Sequence, residues 1–268
     1  MVAHLKLMLA CTVAGLAMAQ GARAQPAAPD VTDLEFSCMH YLAGYGAKFA
    51  YARLKCVTKC MQGVWKGYGD PAECSPPYGG ATASCMVDSV YNLKGAEDKY
   101  RLVILKKCDP VYKPGKDCPE CYNGGDCSET GAASDWVQNV AGQTDSFVPG
   151  VFCEGTGAQY TEQTCQRSTA KGVAKYYAAA TKCYDKCYLY ARRGIGTFAE
   201  CAPPATDGGT NGCLTAANAK YRAFIDQECH KPGALPECGP FTYPDGTQWL
   251  DLTRIWLEGN IPAQFCGS

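Results

Sequence analysis

Lys55-Cys56-Val57-Thr58-Lys59-Cys60 and Lys182-Cys183-Tyr184-Asp185-Lys186-Cys187 are two versions of one segment, and the fold is read outward from them. Cys38, Cys56, Cys60 and Cys74 return as Cys165, Cys183, Cys187 and Cys201, each 127 positions on with no gap between them. Ala43, Ala47, Lys48, Ala52, Gly67, Gly69, Ala72 and Glu73 match their partners at the same spacing, and Pro76-Pro77 matches Pro203-Pro204. After insertions the register resumes. Lys99-Tyr100-Arg101 and Cys108 match Lys220-Tyr221-Arg222 and Cys229, and Trp136, Pro149, Phe152 and Cys153 match Trp249, Pro262, Phe265 and Cys266. Self-similarity at a fixed period marks one supersecondary unit used twice. The expected organisation is a leader over 1–24, a first cysteine-rich helical unit over 25–153 and a second over 154–268.

The leader is read from its pattern. A single fixed positive charge at Lys6 precedes an apolar stretch from Leu7 to about Ala19, and Ala22-Arg23-Ala24 offers a small-x-small cleavage site. A cleaved signal peptide places the mature chain outside the cell or in the periplasm, where thiols are oxidised. Cleavage removes Lys6 and Arg23 and leaves 23 basic against 26 acidic residues. A net charge of about −3 disfavours a general nucleic-acid binder, and no second long apolar run provides a membrane span.

Of the 19 cysteines, Cys11 falls in the leader; eight of the rest are matched in each unit, and Cys121 and Cys127 are left over. Even counts behind a signal peptide read as disulfides, not as thiols, metal ligands or a cofactor site. Thr32-Asp33-Leu34-Glu35 is a capping box. It opens a long helix to about Lys66 that ends at Gly67, with a counterpart from near Thr161 to Gly194. A second helix is expected from Cys85 to Cys108, interrupted near Gly95 by seven residues that unit two lacks, and a third, short helix near Ser134. The class is therefore mainly α: two tandem disulfide-stapled helical hairpins with Gly/Pro-rich loops. In an antiparallel hairpin, lengths at 1.5 Å per residue pair Cys38 with Cys108 and Cys165 with Cys229. The same comparison pairs Cys183 with Cys213 and Cys187 with Cys201, hence Cys56 with Cys85 and Cys60 with Cys74. The remaining expectations are Cys118–Cys153, Cys238–Cys266 and a local Cys121–Cys127 bridge across Asn123-Gly124-Gly125.

Candidate ligand-binding residues form a stripe. Lys48, Lys55, Lys59 and Lys66 lie within about 20° of one another at 100° per residue, and Lys175, Lys182, Lys186 and Arg193 repeat the stripe. The functional reading is a face for an anionic polysaccharide or an acidic protein; the plainer one is a solvated helix face with lysine stems over apolar surface. Seventeen tyrosines against eight phenylalanines suit stacking on sugars or proteins as well as amphipathic packing.

Signals for catalysis are sparse. The mature chain keeps only His40 and His230, and no nucleophile elbow, HExxH helix or phosphate loop is present. Acid-rich loops such as 117–129 and Asp207-Gly-Gly-Thr-Asn-Gly lack the spacing of a regular calcium site and read as turns. The expectation is a non-enzymatic binding or structural module of the cell envelope. A disulfide-stapled glycan hydrolase with paired carboxylates is the first alternative, and a thiol-based metal or redox protein the second.

Overall fold

A computed structural model describes residues 31–87, 95–153, 157–238 and 241–266, without the side chains of 237, 238, 241 and 242. The leader, and most of the seven extra residues near Gly95, lie outside the described residues. The fold is mainly helical. Two helices of 33 residues each, α1 (Asp33–Trp65) and α5 (Tyr160–Arg192), form its spine. Thr32 caps α1 in a complete capping box with Glu35, and Gly67 beyond its end takes the left-handed conformation, φ 81°. Likewise, Glu162 accepts from the Gln159 N–H at the start of α5, and Gly194 beyond its end has φ 77°.

Around α1 pack α2 (Gly80–Met86), α3 (Ala96–Cys108) and α4 (Ala132–Val151). Around α5 pack the short α6 (Phe198–Cys201), α7 (Gly208–Cys229) and α8 (Gly246–Gln264). A two-residue antiparallel pair, Glu237–Cys238 with Phe241–Thr242, precedes α8. The interruption foreseen near Gly95 is present: α2 stops at Met86 and α3 begins after Gly95, whereas α7 runs unbroken. One expectation needs correction. The third helix is not short. Val137, Val140, Thr144, Phe147, Val148 and Val151 continue the stripe begun by Trp136, and their burial holds α4 together for 20 residues.

One continuous core runs through both halves of the chain. Tyr176, Tyr177, Tyr184 and Tyr188 of α5 are all under 2 % exposed, so these four tyrosines are packing residues. Tyr188 stacks on Phe265 at 4.0 Å, and Phe147 of α4 meets Trp249 and Trp256 of α8. The spine helices lie side by side and antiparallel. Arg192 reaches Asp33 (2.8 Å) and the Val31 carbonyl, His40 meets Asp185 (2.7 Å), and Tyr51 to Thr58 face residues 164–174.

Disulfides fasten each hairpin at both ends: Cys38–Cys108, Cys56–Cys85 and Cys60–Cys74 in one half, Cys165–Cys229, Cys183–Cys213 and Cys187–Cys201 in the other. The remaining pairs differ from the sequence reading. Cys118 bonds Cys127, not Cys153, and Cys121 bonds Cys266, not Cys127. Cys266 is therefore not joined to Cys238, whose side chain lies outside the described residues. The cause is local backbone. Asn123, Gly124 and Gly125 all have positive φ, and the Gly125 and Asp126 N–H groups both donate to the Tyr122 carbonyl. The curl returns Cys127 to Cys118 and leaves Cys121 facing the end of α8, where the Tyr122 hydroxyl donates to the Gln264 carbonyl. Cys153 is also disulfide-bonded.

Candidate ligand-binding groove

The antiparallel spine turns two stripes into one groove. Gly44 and Ala47 on α1 and Ala174 and Ala178 on α5 are short, so the seam between the helices stays open above them. Two adjoining hollows, of about 290 and 450 Å³, share Tyr51 and Ala174. Lys48, Lys175 and Lys182 line the larger; Lys55, Arg167 and Lys171 line the smaller. Among the described residues none of these six cations is in an ion pair. Lys48 lies over the Tyr45 ring at 4.0 Å, and Lys171 and Lys175 share the ring of Phe224 at 5.6 and 5.3 Å. Arg167 donates to the Thr164 hydroxyl at 3.1 Å, while its Nε is buried without a hydrogen-bond partner.

The outer members of the two stripes lie elsewhere. Lys59 edges a separate hollow with Tyr68, Asp70 and Glu73. Lys66 and Arg193 are the exposed C-caps of α1 and α5, and Lys186 lies over Tyr190. The groove also holds residues that stripe-matching missed: Tyr51, Arg167, Lys171 and Phe224. Arg167 and Lys171 precede Lys175 at successive steps of four, so the α5 stripe extends through them. Their counterparts in the first unit are His40 and Gly44, and a search confined to duplicated lysines passes over both.

The carboxylate that lines the larger hollow, Asp185, accepts from His40 Nδ1. That hydrogen bond holds the His40 imidazole above its ordinary pKa, against a smaller opposing effect of burial. Lys182 stands one turn before Asp185 and lines the same hollow. A histidine raised on folding contributes stability that is full below its unfolded pKa of about 6.5 and is lost as pH rises through the folded value. We expect His40→Gln to lower the urea midpoint at about pH 5.5 and to leave it unchanged at about pH 8.5. The difference is under about 1 kcal/mol because the pair is half-exposed, and equal effects at both pH values refute the assignment.

Other chemistry-bearing clusters have structural partners. Arg53, 2 % exposed, donates to Glu97 and, at 2.6 Å, to Asp145, which also accepts from the Tyr78 hydroxyl at 2.6 Å. Burial raises the Glu97 carboxyl despite Arg53 beside it. In the second half Ala180 replaces Arg53, and Glu258 is met at 2.7 Å by both Arg254 and Tyr184. These carboxylates face cations within the fold, and none of them lines the two hollows. Asp207 accepts from the Thr210 N–H and hydroxyl, and Asp126 from the Ser128 N–H; these bonds lower both carboxyl pKa values. Among the described residues the cysteines grouped closely enough for a metal are Cys38, Cys108 and Cys127, and all three are oxidised to disulfides. No described helix is long and apolar enough to cross a membrane. Comparison with protein-family models, with curated proteins and with solved structures finds no match to the chain.

Proposed function

We propose that this protein is a secreted or periplasmic binding module, without an enzymatic role, whose α1/α5 groove holds an extended anionic polymer. The observation that carries the reading is the convergence of Lys48, Lys55, Arg167, Lys171, Lys175 and Lys182 on one groove, without ion pairs among the described residues, in a chain of near-zero net charge. Cations gathered in a cleft focus the field there and raise the local concentration of an anionic partner. Apolar rings under Lys48, Lys171 and Lys175 hold the ammonium groups in place, which lowers the entropy lost when a ligand fixes them. The disulfides suit an oxidising compartment.

Polyphosphate and poly-glutamate are suitable probes. We expect both to bind with affinity that falls steeply with salt. Replacing Lys48, Lys55, Lys175 and Lys182 together by Gln should make the plot of log K against log salt shallower by about three, as four counterion-releasing contacts are removed. Replacing Lys59, Lys66, Lys186 and Arg193 instead should change the slope by less than about one. Equal losses from both sets would mean diffuse attraction to a charged surface and would sink the groove. Gly44→Leu is a second probe. A Cβ there meets nothing within 4 Å, so the variant fills the seam, removes no charge, and should weaken binding while the helical circular dichroism is kept.

A further inference from the structure

The spacing of the groove cations and the aromatic ring between them specify the polymer further, on the reading just proposed. Because α1 and α5 are antiparallel and advance 1.5 Å per residue, the cations fall into successive steps along the seam. Lys182 forms one, Lys48 and Lys175 the next and Lys55 and Lys171 a third, roughly 8–9 Å apart, with Arg167 about one turn beyond the third. Between the second and third steps stands Tyr51, 38 % exposed and lining both hollows. Beneath lie Ala47, Ala174 and Ala178, which offer no hydrogen bond from their side chains.

A polyphosphate chain carries a charge on every repeat and has no uncharged face, so between the steps its charges meet alanine and a tyrosine ring. From Lys182 to Lys55 the track instead suits one anionic group about every 8–9 Å, with an uncharged, partly apolar face between. From this geometry we infer that the ligand is an acidic polysaccharide in which uronic-acid and neutral sugars alternate. Each carboxylate meets one lysine step, and the intervening neutral sugar lies against the Tyr51 ring. Tyr51 suits the role because an exposed aromatic loses little conformational freedom on binding and presents a flat face and a hydroxyl together.

Hyaluronan oligosaccharides supply the alternating pattern, polygalacturonate has a carboxylate on every sugar, and polyphosphate has dense charge and no sugar face. The test measures all three by calorimetry on the full disulfide-bonded protein and on Tyr51→Leu. The inference expects the alternating oligosaccharide to bind more tightly per charge than the other two. Tyr51→Leu should weaken that binding about tenfold, while polyphosphate affinity moves by less than a factor of two, which also reports a folded variant. If Tyr51→Leu leaves oligosaccharide binding intact, or weakens polyphosphate equally, the glycan assignment falls and the anion groove stands. If none of the three polymers binds, the groove falls with it.

Discussion

Arg53→Ala is expected to lower the unfolding free energy by about 3–5 kcal/mol, the range for removing one partner of a buried ion pair. The side chain lies between the rings of Phe49 and Tyr78 at 5.6 and 5.5 Å and draws Glu97 of α3 and Asp145 of α4 onto α1. Without the guanidinium, two carboxylates face each other in a half-buried site, and burial already raises the Glu97 carboxyl. A carboxyl raised on folding favours the native state at low pH. The loss should therefore be full near neutrality and shrink as pH falls below about 5, where both groups take up protons. Urea unfolding at the two pH values, with disulfides intact, reads this directly. Replacing Arg53, Glu97 and Asp145 together by leucine should recover most of the loss, because apolar residues of similar volume need no charge partner. If Arg53→Ala costs under about 1 kcal/mol at neutral pH, the cluster is a solvated surface network and the argument fails.

Removing the Cys121–Cys266 bridge by a double alanine substitution is the second large effect. It closes a span of 145 residues, of which Cys165–Cys229 already bypasses 64. The free loop, at most about 80 residues because Cys153 within the span is bonded too, corresponds to at most about 4.5 kcal/mol of unfolded-chain entropy, and native-state relaxation reduces the measured value. The bridge holds the end of α8 against residues 121–122, so its loss should also expose α8 to proteolysis ahead of the hairpins. The pairing is checked first, by non-reducing peptide mapping after cleavage at Glu120 and Asp126. A fragment joining the Cys121 peptide to the C-terminal peptide is expected. A Cys121–Cys127 link in its place would remove the basis for both effects.

How far the sequence could be read depended on whether each feature is local. Thr32 and Glu35 announce α1 within four residues, and Gly67 and Gly194 mark the ends of the spine helices because the left-handed backbone suits glycine. The hairpin bridges follow from helix lengths in the second half and from the repeat in the first. Cys118, Cys121 and Cys127 were misread because the repeat implies that equivalent cysteines pair within one unit, whereas Cys266 crosses to the other half. The length of α4 was missed for a related reason: its stripe is stabilised by Trp249 and Trp256, more than a hundred residues away. The lysine stripes were legible as helix faces. That they face each other was not, since periodicity within a helix says nothing about which helix lies beside it.

The antiparallel seam has one more consequence, and it concerns polarity. Lys48 stands opposite its own counterpart Lys175, and Lys55 and Lys182 lie at similar distances on either side, so the track reads nearly the same from either end. A linear chain threaded backwards meets the four duplicated lysines Lys48, Lys55, Lys175 and Lys182 in the same order. Two threadings of equal energy add a factor of two in affinity, about 0.4 kcal/mol, and let a long polymer be gripped wherever it is met. What breaks the tie is Tyr51, whose repeat counterpart is Ala178, together with Lys171 and Arg167, whose counterparts are Gly44 and His40. These three differences give an otherwise directionless track a head and a tail.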